Sequence, residues 1–379
     1  MITMKKSLIA LAVLGAFSGA AFADGSNVQL YGTIDLGITH YTGIAAGGTN
    51  SVSTTGLSSG VNDASAIGIK GTEDLGGGLS ALFDVETGFC AAGTNQGDNV
   101  GQAASQTYCT GGGFMQRQSY AGLAGGFGTV LAGRLYHPGF NHEAAVDPFG
   151  DGTTGQIDNT SVIGQLGLAR ASQVVAYVTP TFSGFSGIAA YSFAPSTGTV
   201  PTLSASTSNV PRAVVLDGAY GAGPITGSVT YTQVSNAQNN PTTHVNDGAD
   251  KLWVLTGSYD FGVAKLGAVY QRVTADYTVG NENSWMLGGT VPVGAGAFLL
   301  SYSENNNSLG VSNATADTSK QVAVGYTYNL SKRTSLYTSY AHLSNDAHNA
   351  VVFGDSTNGF DTNEGQNASG FAAGITMQF

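Results

Sequence analysis

Apolar residues alternate with small or polar ones along most of the chain. In Val28–Thr39, Leu30, Ile34, Leu36 and Ile38 share one face, while Tyr31, Thr33, Asp35 and Thr39 share the other. In Gln321–Leu330, Val322, Val324, Tyr326, Tyr328 and Leu330 alternate with Gln321, Ala323, Gly325, Thr327 and Asn329. The last residues repeat the pattern: Phe371, Ala373, Ile375, Met377 and Phe379 against Ala372, Gly374, Thr376 and Gln378. A period of two puts successive side chains on opposite faces, so these segments read as β-strands with one apolar face. The pattern predicts sixteen strands, near 28–41, 64–73, 79–89, 114–125, 129–136, 169–180, 185–194, 211–220, 225–235, 251–261, 263–278, 283–292, 295–304, 320–330, 334–344 and 368–379.

The connections alternate as well. Short turns follow some strands: Asp74–Gly78, Gly125–Gly128 and Asn329–Arg333. Long polar loops follow others: Tyr41–Ala64, Cys90–Gly113, Tyr136–Leu168, Pro195–Val210, Asn236–Asp250, Asn305–Ser319 and Asn345–Gln366. Tight turns at one end and long loops at the other are the pattern of an outer-membrane barrel. Closure pairs every backbone N–H and C=O, which hydrocarbon demands of a strand-built span. Sixteen strands enclose water, whereas eight would be filled by side chains. The less apolar face, mostly Gly, Thr, Ser and Asn, suits such a lumen. The expected fold is all-β: a 16-stranded antiparallel transmembrane β-barrel with long extracellular loops and short periplasmic turns.

Composition sharpens this. Of 379 residues only 10% are charged, 56 are Gly and 9 are Pro. A net charge of −11 argues against nucleic acid as a partner, because phosphate binding needs clustered Lys and Arg. The N-terminus carries Lys5 and Lys6, an apolar run from Leu8 to Phe17, and Ala21-Phe22-Ala23. That is the layout of a secretory signal peptide over residues 1–23, with residues 24–379 as the barrel domain. Removal of Lys5 and Lys6 takes the net charge from −11 to −13. An enzyme reading finds little support: His137, His142 and Glu143 are too loosely spaced for a metal centre. Neither a catalytic residue, a cofactor nor a metal is expected.

Several motifs, in order, carry a resemblance. Val28-Gln29-Leu30-Tyr31-Gly32 opens the mature chain, and Ile67-Gly68-Ile69-Lys70-Gly71-Thr72-Glu73-Asp74-Leu75-Gly76-Gly77-Gly78-Leu79 follows. Then come Arg117–Leu123, Phe127-Gly128-Thr129-Val130, Gly133-Arg134, Tyr177–Phe185 and Tyr328–Thr334, ending in Phe379. Together they resemble the Gram-negative general porins of Neisseria- and Burkholderia-like organisms, across the whole mature length. The resemblance implies a passive channel for small hydrophilic solutes in the bacterial outer membrane. Its implied partners are outer-membrane lipid, two further copies in a homotrimer, and the barrel-assembly machinery that reads Phe379. It also implies that the third long loop, Tyr136–Leu168, folds inward as a constriction. Loop acids Glu143, Asp147 and Asp151 would then face a basic wall of Arg117, Arg134 and Arg170, with Lys70 and Asp35 at inward parity. Arg134 could instead anchor the loop.

Two positions depart from the family pattern: Ala66 and Ala176 stand where basic residues are usual. The expected eyelet is therefore near charge balance, and the acidic surround gives a weak cation preference. Alternatives are a substrate-specific channel, disfavoured because most Tyr and Phe fall on the outward face, and a surface adhesin or antigen. Cys90 and Cys109, the two cysteines, lie in the second long loop. In an oxidising compartment they are expected to pair, worth about 3 kcal/mol by chain entropy.

Overall fold

The computed structural model describes residues 27–45, 51–92, 115–150, 152–194, 212–235, 249–275, 280–307, 317–351, 353 and 364–379. The expected signal peptide lies outside them. The strands are β1 (Asn27–Ala45), β2 (Ser51–Ser59), β3 (Ala66–Gly76), β4 (Leu79–Gly88), β5 (Gln118–Gly125), β6 (Gly128–Tyr136), β7 (Arg170–Val178), β8 (Phe185–Ser192) and β9 (Arg212–Ala222). The chain continues through β10 (Ile225–Ser235), β11 (Ala249–Asp260), β12 (Lys265–Ala275), β13 (Gly280–Val293), β14 (Gly296–Asn307), β15 (Asp317–Asn329), β16 (Thr334–Asn345) and β17 (Ala368–Gln378). Each pairs antiparallel with its neighbours, and β1 pairs with β17 from Thr33↔Gln378 to Thr42↔Ser369, which closes the sheet.

Seventeen segments make sixteen staves. The upper half of β1 pairs with β2 (Leu36↔Ser59), and its lower half with β3 (Thr33↔Ala66). β2 and β3 are thus one stave, interrupted at residues 60–65. Most of the expected first loop, Tyr41–Ala64, is therefore wall: β1 runs on to Ala45 and β2 occupies Ser51–Ser59. The sequence hid this because β2 is nearly all Ser, Thr and Gly, with Val52 and Leu57 as its large apolar residues. A stave near the loop end need not show lipid an apolar face.

Outward positions carry large apolar side chains left exposed by the protein, such as Leu30, Ile38, Leu216, Leu255, Leu287, Leu300 and Val322. This is the inverse of a soluble protein and suits a hydrocarbon surround. Aromatic pairs mark two levels. Tyr231–Trp253 and Trp285–Tyr302 stand towards the long-loop ends of their strands. Phe185–Tyr220, Tyr259–Phe261 and Phe298–Tyr326 stand towards the short-turn ends. Amphipathic rings favour the two membrane–water interfaces, as in barrel girdles. At the short turn after β3, Gly76, Gly77 and Gly78 all have positive φ, and Asp74 accepts the Gly76 N–H. The chain end is sewn in: Phe379 N–H donates to Gly32 O, and Gly32 N–H to Phe379 O. A Cβ at Gly32 would meet the Phe379 ring at 2.5 Å.

Candidate functional site

The segment between β6 and β7 does not stand outside the barrel. It forms α1 (Pro138–Val146), a 3-10 turn (Ile157–Asn159) and a short α2 (Val162–Gln165). These pack on inward side chains of the wall. Val162 and Ile163 bury against Leu252, Val254 and Val273, with Phe140, Leu166 and Leu168 at the edge. Val146 and Ile157 bury against Val269 and Met286. Phe149 joins Leu299 and Ala323. This apolar stretch of the inner wall is the surface on which the loop docks. Each fully buried aliphatic side chain contributes about 1.5–3 kcal/mol.

Polar groups complete the seam. Asn159 donates to Gln321 and to the Thr154 carbonyl. Thr160 donates to Ser303, while Asn305 donates to the Thr160 carbonyl and to Glu282. At the start of the loop, His137 is buried and shares a 2.7 Å hydrogen bond with Thr232. Burial pushes its imidazole down to a pKa of about 4, so it is neutral at pH 7. His142 contacts Asp217 at 3.2 Å. At the loop's far end, Thr153 N–H donates to the Val61 carbonyl, within the interruption between β2 and β3.

Two of the acidic residues expected to face the pore, Glu143 and Asp147, are buried. Glu143 is fully buried; Gln271 Nε2 donates to its carboxylate, and so does the Ser161 hydroxyl. Asp147 is also buried and accepts the N–H groups of Phe149 and Ile157. It pins the loop tip rather than lining water. Asp151 lies outside the described residues. Asp35 has the expected inward parity, yet it is buried under residues 60–65. It accepts from Val61 N–H, Asn62 N–H, Thr376 Oγ1 and Tyr337 Oη. Alternation reveals which side of the sheet a residue takes, but not whether a loop covers it.

The basic residues do gather. Arg117 pairs with Glu86 at 2.6 Å and donates to Tyr136 Oη at 2.8 Å. Arg170 donates to the same Oη at 2.8 Å and lies over the Tyr136 ring, 4.4 Å from its centroid. That ring stacks on Phe140 of α1. Two guanidinium groups thus converge on one phenol beside the loop's first helix, and both remain partly exposed. Arg134 spans a register shift between Gly133 and Leu135, donating to the Gln116 carbonyl and to Ser172 Oγ. Its bonds are those of an anchor. Lys70 is exposed and stands 5.0 Å over the Tyr31 ring, whose hydroxyl donates to Asp84. Ala66 and Ala176 are buried. Cys90 is disulfide-bonded; Cys109, the chain's other cysteine, lies outside the described residues.

Tyr136, Glu86 and Gln271 were not among the residues singled out by the sequence. For the docking surface a signal existed: Leu252-Trp253-Val254-Leu255 is apolar on both faces, which marks a strand covered on both.

The Gram-negative porin family profile matches residues 10–348. Outer membrane porin protein 32 of Delftia acidovorans is 34% identical over 392 residues, covering 99% of this chain and 100% of that protein. An outer membrane porin protein of Bordetella pertussis is 31% identical over 385 residues, covering 91% of this chain and 95% of that one. Among solved structures, the anion-selective porin from Comamonas acidovorans superposes with a TM-score of 0.72 at 30% identity, over 94% of this chain and all of that one. A Salmonella typhi OmpF structure shares the fold, with a TM-score of 0.65 at 18% identity. A closed sixteen-stave barrel with an apolar outer face and an inward loop is the architecture of an outer-membrane channel. With relatives aligned over nearly the whole chain, it belongs to the Gram-negative porin family, whose members are passive diffusion channels of the bacterial outer membrane.

Proposed function

We propose that this porin passes small hydrophilic solutes and ions through an eyelet that weakly prefers anions. The observation that carries the sign is the withdrawal of Glu143, Asp147 and Asp35 into hydrogen-bonded, buried positions, while Arg117 and Arg170 stay partly exposed around Tyr136. Glu86 offsets one of these charges, and Lys70 stands opposite Asp84 in the register. Charge at a narrow pore biases ions by sign, and fixed positive charge favours anions there. The bias replaces the weak cation preference that charge counting along the sequence gives. The anion-selective Comamonas acidovorans relative supports the same sign.

The channel makes and breaks no bonds. We further assign it a homotrimeric assembly, supported by a trimeric form among its structural neighbours, and read Phe379 as part of a barrel-assembly signal. Planar-bilayer recording tests the whole reading. Ohmic, solute-tolerant steps arriving in groups of three are expected. Block by one class of sugar would instead mean a substrate-specific channel, and single steps would remove the trimer.

A further inference from the structure

The stave made of β2 and β3 leaves the wall between them. There, residues 60–65 turn inward and lie on side chains that face the lumen. Val61 is buried with Tyr337 of β16 and Ala372 of β17. The Asn62 side chain donates to Thr376 Oγ1 on β17 at 3.0 Å. Tyr337, Ala372 and Thr376 have the parity opposite to the outward residues Leu336, Phe371 and Met377. Gly60 has a φ of +73°, and its N–H donates to the Asp35 carbonyl as the chain departs from β2. Asp35 then fixes the insert. Its carboxylate accepts from Val61 N–H at 2.6 Å and Asn62 N–H at 3.1 Å, and Ser65 Oγ donates to its carbonyl.

The insert also supports the far end of the constriction loop. Thr153 N–H donates to the Val61 carbonyl, and the Asn62 backbone lies so close to Gly152 that no Cβ would fit there. Thr154 shares a 2.9 Å hydrogen bond with Ser339 of β16. On this side the rim of the opening is therefore the insert, not the sheet. Asn62, Asp63 and Ala64 at its tip remain partly exposed. The Asp63 carboxylate lies 3.5 Å from Thr33 Oγ1, an inward group of β1, and its charge reaches Arg117. A carboxylate in contact with water at a narrow point draws cations and repels anions. We propose that residues 60–65 form a second constriction element and that Asp63 at its tip is a selectivity-determining residue. Its charge limits the anion preference that Arg117 and Arg170 confer, and Asp35 beneath it is the positioning residue. The proposal rests on the eyelet reading for the place of the narrow point, but not for the sign of the wild-type preference.

Single-channel zero-current potentials in a KCl gradient test it. Asp63→Asn should raise the chloride-to-potassium permeability ratio, and the rise should fade at high salt. Glu73→Gln, which removes an exposed acid of outward parity on β3, should leave the ratio unchanged. In Asp63→Cys, a negatively charged methanethiosulfonate should return the ratio towards wild type, and a positively charged one should drive it further towards chloride. The wild type, with Cys90 disulfide-bonded, should respond to neither. Adding Asp35→Asn to Asp63→Cys should shrink both reagent shifts and make the open-channel current noisier. Heat-dependent gel mobility identifies folded variants, and the Asp63 variants, altered only at a partly exposed tip, can be read without Asp35→Asn. An unchanged ratio in Asp63→Asn, equal effects of the two reagents, or full reagent shifts in the Asp35→Asn background would each overturn the proposal. Potassium preference in the wild type would contradict the sign assigned to the eyelet and leave the direction of these shifts intact.

Discussion

A carboxyl on a loop inside a water-filled barrel can line the water or tie the loop to the wall. Glu143 takes the second course, with Gln271 as its donor. Glu143→Ala strands that buried donor and should cost about 1–3 kcal/mol, read as a lower unfolding temperature. Glu143→Gln, similar in shape but uncharged, should leave the zero-current potential within error of wild type. His137 gives a pH dependence of definite sign. Its pKa is depressed to about 4 in the fold, against about 6.5 when exposed. Its contribution is fully present above pH 6.5 and is lost as pH falls towards 4, because the unfolded chain then binds the extra proton. The stability difference between wild type and His137→Gln should therefore shrink from pH 7 to pH 4, by an amount on the order of 1–3 kcal/mol. The sequence made these residues visible as loop acids and histidines. Their orientation was not legible, since a short polar segment carries no periodicity to say which side meets water.

At the level of elements, the strands were legible wherever lipid imposes an apolar outer face, and the turns wherever Gly clusters. β2 escaped because Ser51, Ser53 and Thr55 meet no such demand. The inward loop was legible only through resemblance, although the doubly apolar stretch Leu252–Leu255 foretold the surface it covers. Docking by Ile163 can be measured. Ile163 is fully buried against Leu252, Val254 and Val273. Ile163→Ala should cost about 2–5 kcal/mol locally. Because the barrel holds without this contact, the effect should appear as noisier open-channel current and faster proteolysis within Tyr136–Leu168, with the heat-dependent gel shift retained. Unchanged current noise would mean that the seam of hydrogen bonds alone holds the loop.

For the whole molecule, the charge sum misleads about the pore. The chain carries −11 overall, yet an ion in transit feels the few groups within a Debye length, about 8–10 Å at 0.1–0.15 M salt. Three acids counted against the basic wall are buried in structural roles, and counting along the sequence could not separate those roles from pore charge. Arg117 and Arg170 set the sign of the eyelet in the reading proposed above. Its most direct test is the zero-current potential of single channels in a KCl gradient, for wild type and for Arg117→Gln with Arg170→Gln. Chloride preference is expected in the wild type, weakening as salt rises, with a shift towards potassium in the double variant. Potassium preference in the wild type, or a double variant with unchanged potential, would contradict it.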